Sequence, residues 1–340
     1  MDRTRIREVE EGPEVTPPPC PPAHAVATAG RRGLGVSRLP PPPALPTLAP
    51  MSTPDQPTVM VIGNCQADVY RDLLRTSQEV GVIDVRPVYE MTARDLPRLH
   101  ADLARTDVLI IQPIRDDYRD LPLGHRQLAA RLPTSASVAL VPVLRYAGLH
   151  PYQVLVRPPR DRSLVPPIAP YHDLRTLVAA ATGDHDLLGA TPATEQARAS
   201  ASESVEALRA REQAHGALPV SDLLEDYPRW HTINHPDRQT LATVFARILG
   251  HLPAGLLSDP PRIGDREPLG ATRAPVDPAV ERALGLPETG PRGWLVDGAP
   301  VPEREIVDAH LAWYAVTPGV VDEGLRRHAT RIELLGLMPA

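Results

Sequence analysis

From residue 58 onward, short apolar runs alternate with segments of helical periodicity. The apolar runs are nearly continuous, which is typical of strands buried on both faces of a parallel sheet. The predicted strands cover residues 58–62, 82–89, 107–112, 137–144 and 152–156. The helices predicted between the first four strands cover residues 66–80, 92–104 and 123–132. This order indicates βαβ units, so we predict an α/β fold with helices on both faces of the sheet.

After Pro158 the pattern becomes largely helical. Helices are predicted over residues 171–181, 194–215, 220–226, 236–252, 278–284, 303–314 and 319–335. Pro236 is expected at the first position of its helix, where the missing N–H removes no hydrogen bond. Residues 258–275 are rich in Pro, Gly and charge, which is typical of a linker or a long loop.

The first fifty residues have a different composition, with 12 prolines and almost no periodic apolar pattern. Such a segment buries too little apolar surface to offset its ordering entropy, so we predict a disordered tail over residues 1–52. Met51 would be a natural alternative start of the protein. The predicted domains are therefore this tail, an α/β domain over residues 56–257 and a helical extension over residues 258–340.

Composition and charge narrow the functional classes. The chain has 42 prolines and no lysine, so all 36 basic side chains are Arg, which we interpret as the coding bias of a GC-rich genome. A net charge of −6 argues against nucleic acid as a partner.

The two cysteines, Cys20 and Cys65, are too few for a disulfide framework or a structural zinc site. No apolar stretch predicts a secretory signal or a membrane span, so a cytoplasmic protein is expected.

The sequence Gly63-Asn64-Cys65-Gln66 follows the first predicted strand directly and opens the first helix. Ligands of open α/β sheets bind at the carboxyl ends of the strands, where a helix N-terminus presents unpaired N–H groups. A thiol in this place is expected to be nucleophilic, and the N–H groups of this turn could hold an oxyanion. The alternative is that Cys65 is a small buried hydrophobic residue.

Two histidines are candidates for a general base. His235, preceded by Asn234, lies immediately before a predicted helix, on a loop whose polar side chains can face a pocket. His172 stands beside Asp173, although neighbours in sequence point in different directions on a helix. His231 and His235 are four residues apart, but the zinc-protease glutamate after the first His is missing, so we predict no metal site.

Several short motifs in this order make the chain resemble the WcbI-type capsular polysaccharide biosynthesis proteins. They begin with Gly63-Asn64-Cys65-Gln66 and continue through residues 112–119, 148–151, 171–173 and 232–236. The resemblance implies a three-layer α/β sandwich with a mostly parallel sheet of the SGNH or flavodoxin-like type. It also implies coenzyme A or acetyl-CoA as a substrate and acetyl transfer to a sugar hydroxyl. Cys65 then takes the place of the proposed nucleophile, lined by Gly63, Asn64 and Gln66.

The segment after the third strand would supply further contacts to coenzyme A. Arg115, Tyr118 and Arg119 lie on the same sheet edge as Cys65 if the sheet is parallel, and arginine suits the phosphates of coenzyme A. The alternative is a surface cluster of ion pairs with the neighbouring Asp116, Asp117 and Asp120. Gln112 at the strand end is expected to face the site. His150, and more weakly Arg145, are candidates by the same positional argument.

These observations favour an acyltransferase that moves an acetyl or other acyl group from coenzyme A to a sugar or surface-polysaccharide precursor. Two alternatives stay open at this point. One is a thiol-dependent esterase or thioesterase of SGNH-like fold, in which water replaces the acceptor. The other is a non-catalytic accessory protein that binds coenzyme A or a glycan. The sequence does not name the acceptor, the acyl chain or the oligomeric state.

Overall fold

A four-stranded parallel sheet forms the centre of the protein in the computed structural model, which describes residues 56–226, 229–259, 261–264, 267–288 and 290–337. Its strands are β1 (Thr58–Ile62), β2 (Gly81–Ile83), β3 (Val108–Ile111) and β4 (Ser137–Leu140). All neighbours are parallel and the order is β2-β1-β3-β4. The predicted α/β architecture is confirmed, whereas the predicted tail lies outside the described residues.

Eleven helices are present in the described part of the chain. The first seven are α1 (Cys65–Thr76), α2 (Leu96–Leu103), α3 (His125–Ala129), α4 (Leu174–Thr182), α5 (Thr194–His215), α6 (Leu223–Asp226) and α7 (Arg238–His251). The last four are α8 (Pro278–Ala283), α9 (Glu303–Val316), α10 (Val320–Arg327) and α11 (Ala329–Leu334). None of the helices in these described ranges is both long and apolar enough to cross a membrane.

The sheet lies between two helical layers because successive strand residues point to opposite faces. On one face, Val59 and Val61 belong to a core that includes α1, α5 and α7. On the other face, Met60 and Ile62 belong to a core that includes α2 and α3. Burial of both faces explains why β1 and β3 are continuous apolar runs, and it gives the three-layer sandwich.

The strand order fixes where a ligand site can form. The chain passes from β1 to β2 on one side and then returns to β3 on the other side of β1. In open parallel sheets, ligands bind beyond the carboxyl ends of the strands at this reversal, as in the flavodoxin-like order 2-1-3-4-5. The segments that follow β1 and β3 begin with Gly63 and Gln112 respectively, so the expected crevice is adjacent to both residues.

Three short two-stranded pairs lie outside the main sheet in the described part of the chain: β5 (Gln153–Val154) with β6 (His172–Asp173), β7 (Trp230–Thr232) with β8 (His235–Pro236), and β9 (Trp294–Val296) with β10 (Ala299–Val301). All three are antiparallel. The strand predicted over residues 152–156 therefore exists only as β5 and does not join the parallel sheet.

The helical half has its own apolar core. Side chains of α4, α9, α10 and α11 meet Tyr152, Val154 and Val156 there. The helix predicted over residues 319–335 is in fact two helices, α10 and α11, because the backbone at His328 leaves the helical region at φ −113° and ψ 20°. The described residues of the predicted 258–275 loop contain no helix, and their one strand-like contact is a bridge from Arg273 to Leu295.

Candidate functional site

The turn from β1 into α1 is built around Asn64 and Cys65. The Asn64 side chain caps α1 by accepting a hydrogen bond of 2.9 Å from the Gln66 N–H. Cys65 is the first residue of the helix and is 6% exposed. Gly63 is required because a Cβ there would lie 2.7 Å from the Ala67 Cβ and would also collide with the Gln112 side chain. The turn thus fixes the thiol at the carboxyl end of β1.

The Cys65 thiol faces an imidazole. Its Sγ lies 3.9 Å from Nε2 of His235, 170 positions later in the chain. This separation is longer than the contact that proton transfer requires, as is common for catalytic pairs without bound substrate, and a small approach of the two side chains would close it. The structure therefore brings together the predicted nucleophile and the predicted base.

The β7–β8 hairpin presents His235 to the thiol. Thr232 pairs with His235, and a register shift between Trp230 and Thr232 bulges the hairpin beside the site. Such bulges re-aim side chains at strand ends. Pro236 is part of β8, and the helix that follows begins after Asp237, whose side chain caps it through the Thr240 N–H. The prediction that Pro236 opens this helix is therefore wrong.

A polar network fixes the second nitrogen of His235. The Tyr171 hydroxyl lies 3.4 Å from Nδ1 of His235 and donates a hydrogen bond of 2.8 Å to Oδ1 of Asn234. Thr232 donates to the same hydroxyl at 2.9 Å. With the tyrosine proton directed to Asn234, the Tyr171 oxygen is placed to accept a hydrogen bond from Nδ1–H of His235. In this tautomer Nε2 is the acceptor that faces the Cys65 thiol.

Gln66 couples the two halves of the site. Its Nε2 donates to the Leu144 and Asn234 carbonyls, each at 2.8 Å. Its Oε1 accepts from the Leu144 N–H at 2.9 Å and from Nε2 of Gln112 at 3.4 Å. All the capacity of this fully buried amide is thus used within the protein. Gln66 thereby holds the neighbours of Cys65 and His235 in register, and its place in a coenzyme A pocket stays a prediction.

Gln112 also has a structural task. Its Oε1 accepts a 2.8 Å hydrogen bond from the Asn64 N–H. Two of the three N–H groups of the turn that the sequence suggested for an oxyanion, those of Asn64 and Gln66, are therefore committed to side chains of the protein. Instead, the Nδ2 of Asn64 is buried and has no hydrogen-bond partner among the described residues. An unpaired buried donor beside Cys65 is the better candidate to receive a developing negative charge.

The structure does not bring His172 to the thiol. His172 lies in β6 and is 1% exposed, with Nδ1 2.7 Å from the Tyr314 hydroxyl and Nε2 3.2 Å from the Val156 carbonyl. Burial, with smaller contributions from His310 and Arg157, lowers the pKa of His172 to about 3. His172 is thus a neutral member of the helical core.

The ring of His150 contacts backbone carbonyls and not the thiol. Its ring nitrogens lie 3.2 Å from the Pro275 carbonyl and 3.4 Å from the Trp230 carbonyl. Burial lowers the pKa of His150 to about 4, so the ring is neutral at physiological pH. Neither of these contacts involves Cys65 or His235.

The segment after β3 places two arginines at the surface. Arg115 and Arg119 are exposed, and Arg119 donates to the Tyr89 carbonyl. Within the described ranges, no ion pair joins either arginine to Asp116, Asp117 or Asp120, so the alternative of a surface ion-pair cluster is not supported. Tyr118 is half-buried and packs against the core formed with α2 and α3.

The described residues contain no group of three or more His, Cys, Asp or Glu side chains suited to a metal ion. His231 is paired with Glu267 at 3.1 Å, and burial lowers the pKa of its ring. His231 and His235 lie on the two strands of a hairpin rather than on one face of a helix.

Two members of the site were not predicted from the sequence. Tyr171 and Thr232 both contact the network around His235 through their hydroxyl groups. Each stands in a short motif that the sequence analysis identified, at residues 171–173 and 232–236. Both motifs therefore contribute to the site. In the motif at residues 171–173, however, the predicted general base His172 points into the helical core, and Tyr171 contacts His235.

Comparison with known proteins gives two matches. A family model described as polysaccharide biosynthesis enzyme WcbI matches residues 58–256. A solved structure described as WcbI, a novel polysaccharide biosynthesis enzyme, in a native form without a disulfide bond between coenzyme A and a cysteine, has a TM-score of 0.69. It is 18% identical, and the match covers 82% of this chain and 97% of that one. No curated protein matches the chain. The family match includes the whole parallel sheet, Cys65 and His235.

Proposed function

Because this chain belongs to the WcbI family of polysaccharide biosynthesis enzymes, we propose that it transfers an acyl group from coenzyme A to a sugar hydroxyl. The acyl group would be acetyl or a related chain, and the acceptor a sugar or surface-polysaccharide precursor. The observation that carries the proposal is the 3.9 Å approach of the Cys65 Sγ to Nε2 of His235. The description of the similar structure, which mentions coenzyme A and a cysteine together, supports the choice of donor.

In the first half-reaction, Nε2 of His235 accepts the thiol proton and the Cys65 sulfur attacks the thioester carbonyl of acyl-CoA. A carbon–sulfur bond to Cys65 forms, and the bond to the coenzyme A sulfur breaks. The coenzyme A thiolate leaves with the proton that His235 held. Oxygen of Tyr171 stabilises the transient imidazolium because it accepts the hydrogen bond from Nδ1.

In the second half-reaction, His235 removes the proton of the acceptor hydroxyl. The hydroxyl oxygen attacks the acyl-enzyme carbonyl, and the Cys65 sulfur leaves and recovers its proton from Nε2. The Nδ2 group of Asn64 would donate to the oxyanion in both steps, together with the positive N-terminal end of α1.

Coenzyme A carries several phosphates, which require cations that are not already paired. Arg115 and Arg119 meet this requirement, since both are exposed on the segment that leaves the carboxyl end of β3. A planar guanidinium binds a phosphate through two parallel hydrogen bonds. We assign these two arginines to the phosphate groups of the donor.

Coenzyme A is expected to raise the free energy of unfolding by about 2.7 kcal/mol at 100 times its dissociation constant. Thermal denaturation of the full chain with increasing coenzyme A or acetyl-CoA measures this. The R115A and R119A variants should need higher concentrations for the same shift. R304A is the matched control because Arg304 has a side chain 91% exposed on α9. Absence of any shift with either ligand would contradict the assignment of the donor.

The Y171F variant is expected to lower kcat about tenfold while the KM for acyl-CoA stays nearly unchanged. It removes the hydrogen bond that holds His235 in its reactive tautomer, worth about 1.4 kcal/mol. Y314F is the matched control, because it removes a hydroxyl bound to His172 and should reduce stability but not kcat. Equal losses of kcat in the two variants would contradict the positioning role of Tyr171.

A further inference from the structure

A cavity of about 340 Å³ lies where β5, β6 and the N-terminal ends of α4, α8 and α9 meet. Its size is within the range of small-ligand sites. We propose that it binds a saccharide unit of the acceptor next to the unit that is acylated. This inference rests on the proposed function, since it names a second contact for the acceptor. The cavity lining includes neither Cys65 nor His235, so the unit bound here is not the reacting one.

The lining combines the groups that recognise a sugar ring. Trp294 supplies aromatic surface for the C–H face of a sugar, whereas the ring of Tyr152 is covered by the Arg175 guanidinium at 4.7 Å. Asp277, whose Oδ1 also caps α8 through the Ala279 N–H, supplies a carboxylate for the hydroxyl protons of the sugar. Gln153 is 6% exposed, and its Oε1 accepts from the Ile233 N–H at 2.8 Å. Its Nε2 has no hydrogen-bond partner among the described residues. A ligand oxygen that reached this amide would satisfy a donor that is otherwise costly to bury.

The charges of the lining favour a neutral occupant over the phosphate groups of the donor. Arg175 is bound by Asp173 at 2.7 Å and by Glu303 at 3.2 Å. Arg292 is bound by the Glu281 carboxylate and the Val276 carbonyl, each at 2.7 Å. Both arginines that line the cavity are thus already paired, so a phosphate would enter beside carboxylates without a cation to meet it. A neutral sugar or an amino sugar suits these groups, whereas an acidic sugar does not.

The cavity is joined to the catalytic pair through Tyr171. Trp294 stacks on the Tyr171 ring with centroids 6.5 Å apart, and the Tyr171 hydroxyl lies 3.4 Å from Nδ1 of His235. Gln153 also holds the N–H of Ile233, two residues before His235. An acceptor that spans both places would therefore contact the walls that position the base. We expect acceptors of two or more units to be used better than single sugars.

Binding of saccharide probes to the C65S protein tests the site independently of acyl transfer. The probes are maltose, the glucosamine disaccharide and digalacturonate, with isothermal titration calorimetry as the readout. We expect the neutral or the amino disaccharide to bind and the acidic one to bind at least about tenfold more weakly. Adding W294A should weaken binding at least about tenfold, and W294F should restore most of it.

W313A is the control for loss of a tryptophan elsewhere, because Trp313 packs in the helical core. Circular dichroism establishes that each variant is folded. The proposal is overturned if none of the probes binds, if digalacturonate binds best, or if W294A binds as tightly as the parent. Acylation of Cys65 by acyl-CoA needs no acceptor. If Cys65 is not acylated but saccharide binding still depends on Trp294, the proposed acyl transfer is wrong and the saccharide site is supported. If Cys65 is acylated but no saccharide binds, the acyl transfer is supported and the saccharide site is wrong.

Discussion

Replacing Cys65 with serine is expected to lower acyl-transfer turnover by about a thousandfold or more, which corresponds to roughly 4 kcal/mol of activation free energy. A serine hydroxyl is a far weaker acid than a thiol. His235, which lies 3.9 Å from Sγ in the parent protein, therefore cannot convert a comparable fraction of the serine into its nucleophilic, deprotonated form. The fold should persist because serine has nearly the same shape and is acceptable at the first position of a helix. Turnover of acyl-CoA in the presence of an acceptor, measured on the purified variant, checks this.

The matched control for C65S is C20S, since Cys20 is the only other cysteine of the chain and lies outside the described residues. We expect C20S to retain the turnover of the parent protein. Full activity in C65S would show that the thiol does no chemistry. Coenzyme A binding that survives in C65S would separate loss of the nucleophile from loss of the donor site.

Mild acid is expected to destabilise the protein strongly. Burial lowers the pKa of His150 to about 4 and of His172 to about 3, whereas both rings titrate near 6.5 in the unfolded chain. Between pH 6.5 and pH 4 the unfolded state therefore binds more protons, and the free energy of unfolding falls as the pH falls. Together, the two groups are expected to lower the free energy of unfolding by about 3 kcal/mol at pH 5.5 relative to pH 7.5, which is a large share of the stability of an ordinary domain.

Urea denaturation at a series of pH values between 7.5 and 5.0 measures this loss. The H172Q variant should show a shallower pH dependence, because an amide can accept from Tyr314 and donate to Val156 without titrating. Carboxylates with lowered pKa values, such as Asp95 and Asp222, lose their stabilising effect only at more acidic pH. A free energy of unfolding that stays constant down to pH 5.5 would contradict neutral, buried rings in the folded protein.

The central sheet was predictable from the sequence because its signal is local. Continuous apolar runs at β1 and β3 reflect burial on both faces, and α5 begins and ends at the predicted residues Thr194 and His215. Predictions failed where tertiary contacts decide the outcome. The run at residues 82–89 forms a strand only to Ile83, and the run at 152–156 pairs with β6 rather than with the sheet. The predicted domain boundaries at residues 52, 56, 257 and 258 remain predictions.

The candidate site was predictable in part for the same reason. Cys65 stands at a strand–helix turn that the sequence reveals, and His235 lies in a polar loop near a helix start. The pairing of the two depends on Gln66, whose contacts span 78 and 168 positions, and no local pattern encodes these. Tyr171 and His172 are adjacent in sequence, yet one points to His235 and the other to Tyr314. Which of the two reaches His235 depends on tertiary contacts that no local pattern encodes.

The most direct test of the account is the mass of Cys65 after the full-length protein is mixed with acetyl-CoA and denatured in acid. We predict an acetyl group in thioester linkage on the peptide that contains Cys65, removable by hydroxylamine and absent from C65S. The H235A variant should accumulate it more slowly. An unmodified Cys65 under conditions in which the protein transfers acetyl groups to an acceptor would contradict the covalent route and the role assigned to this thiol.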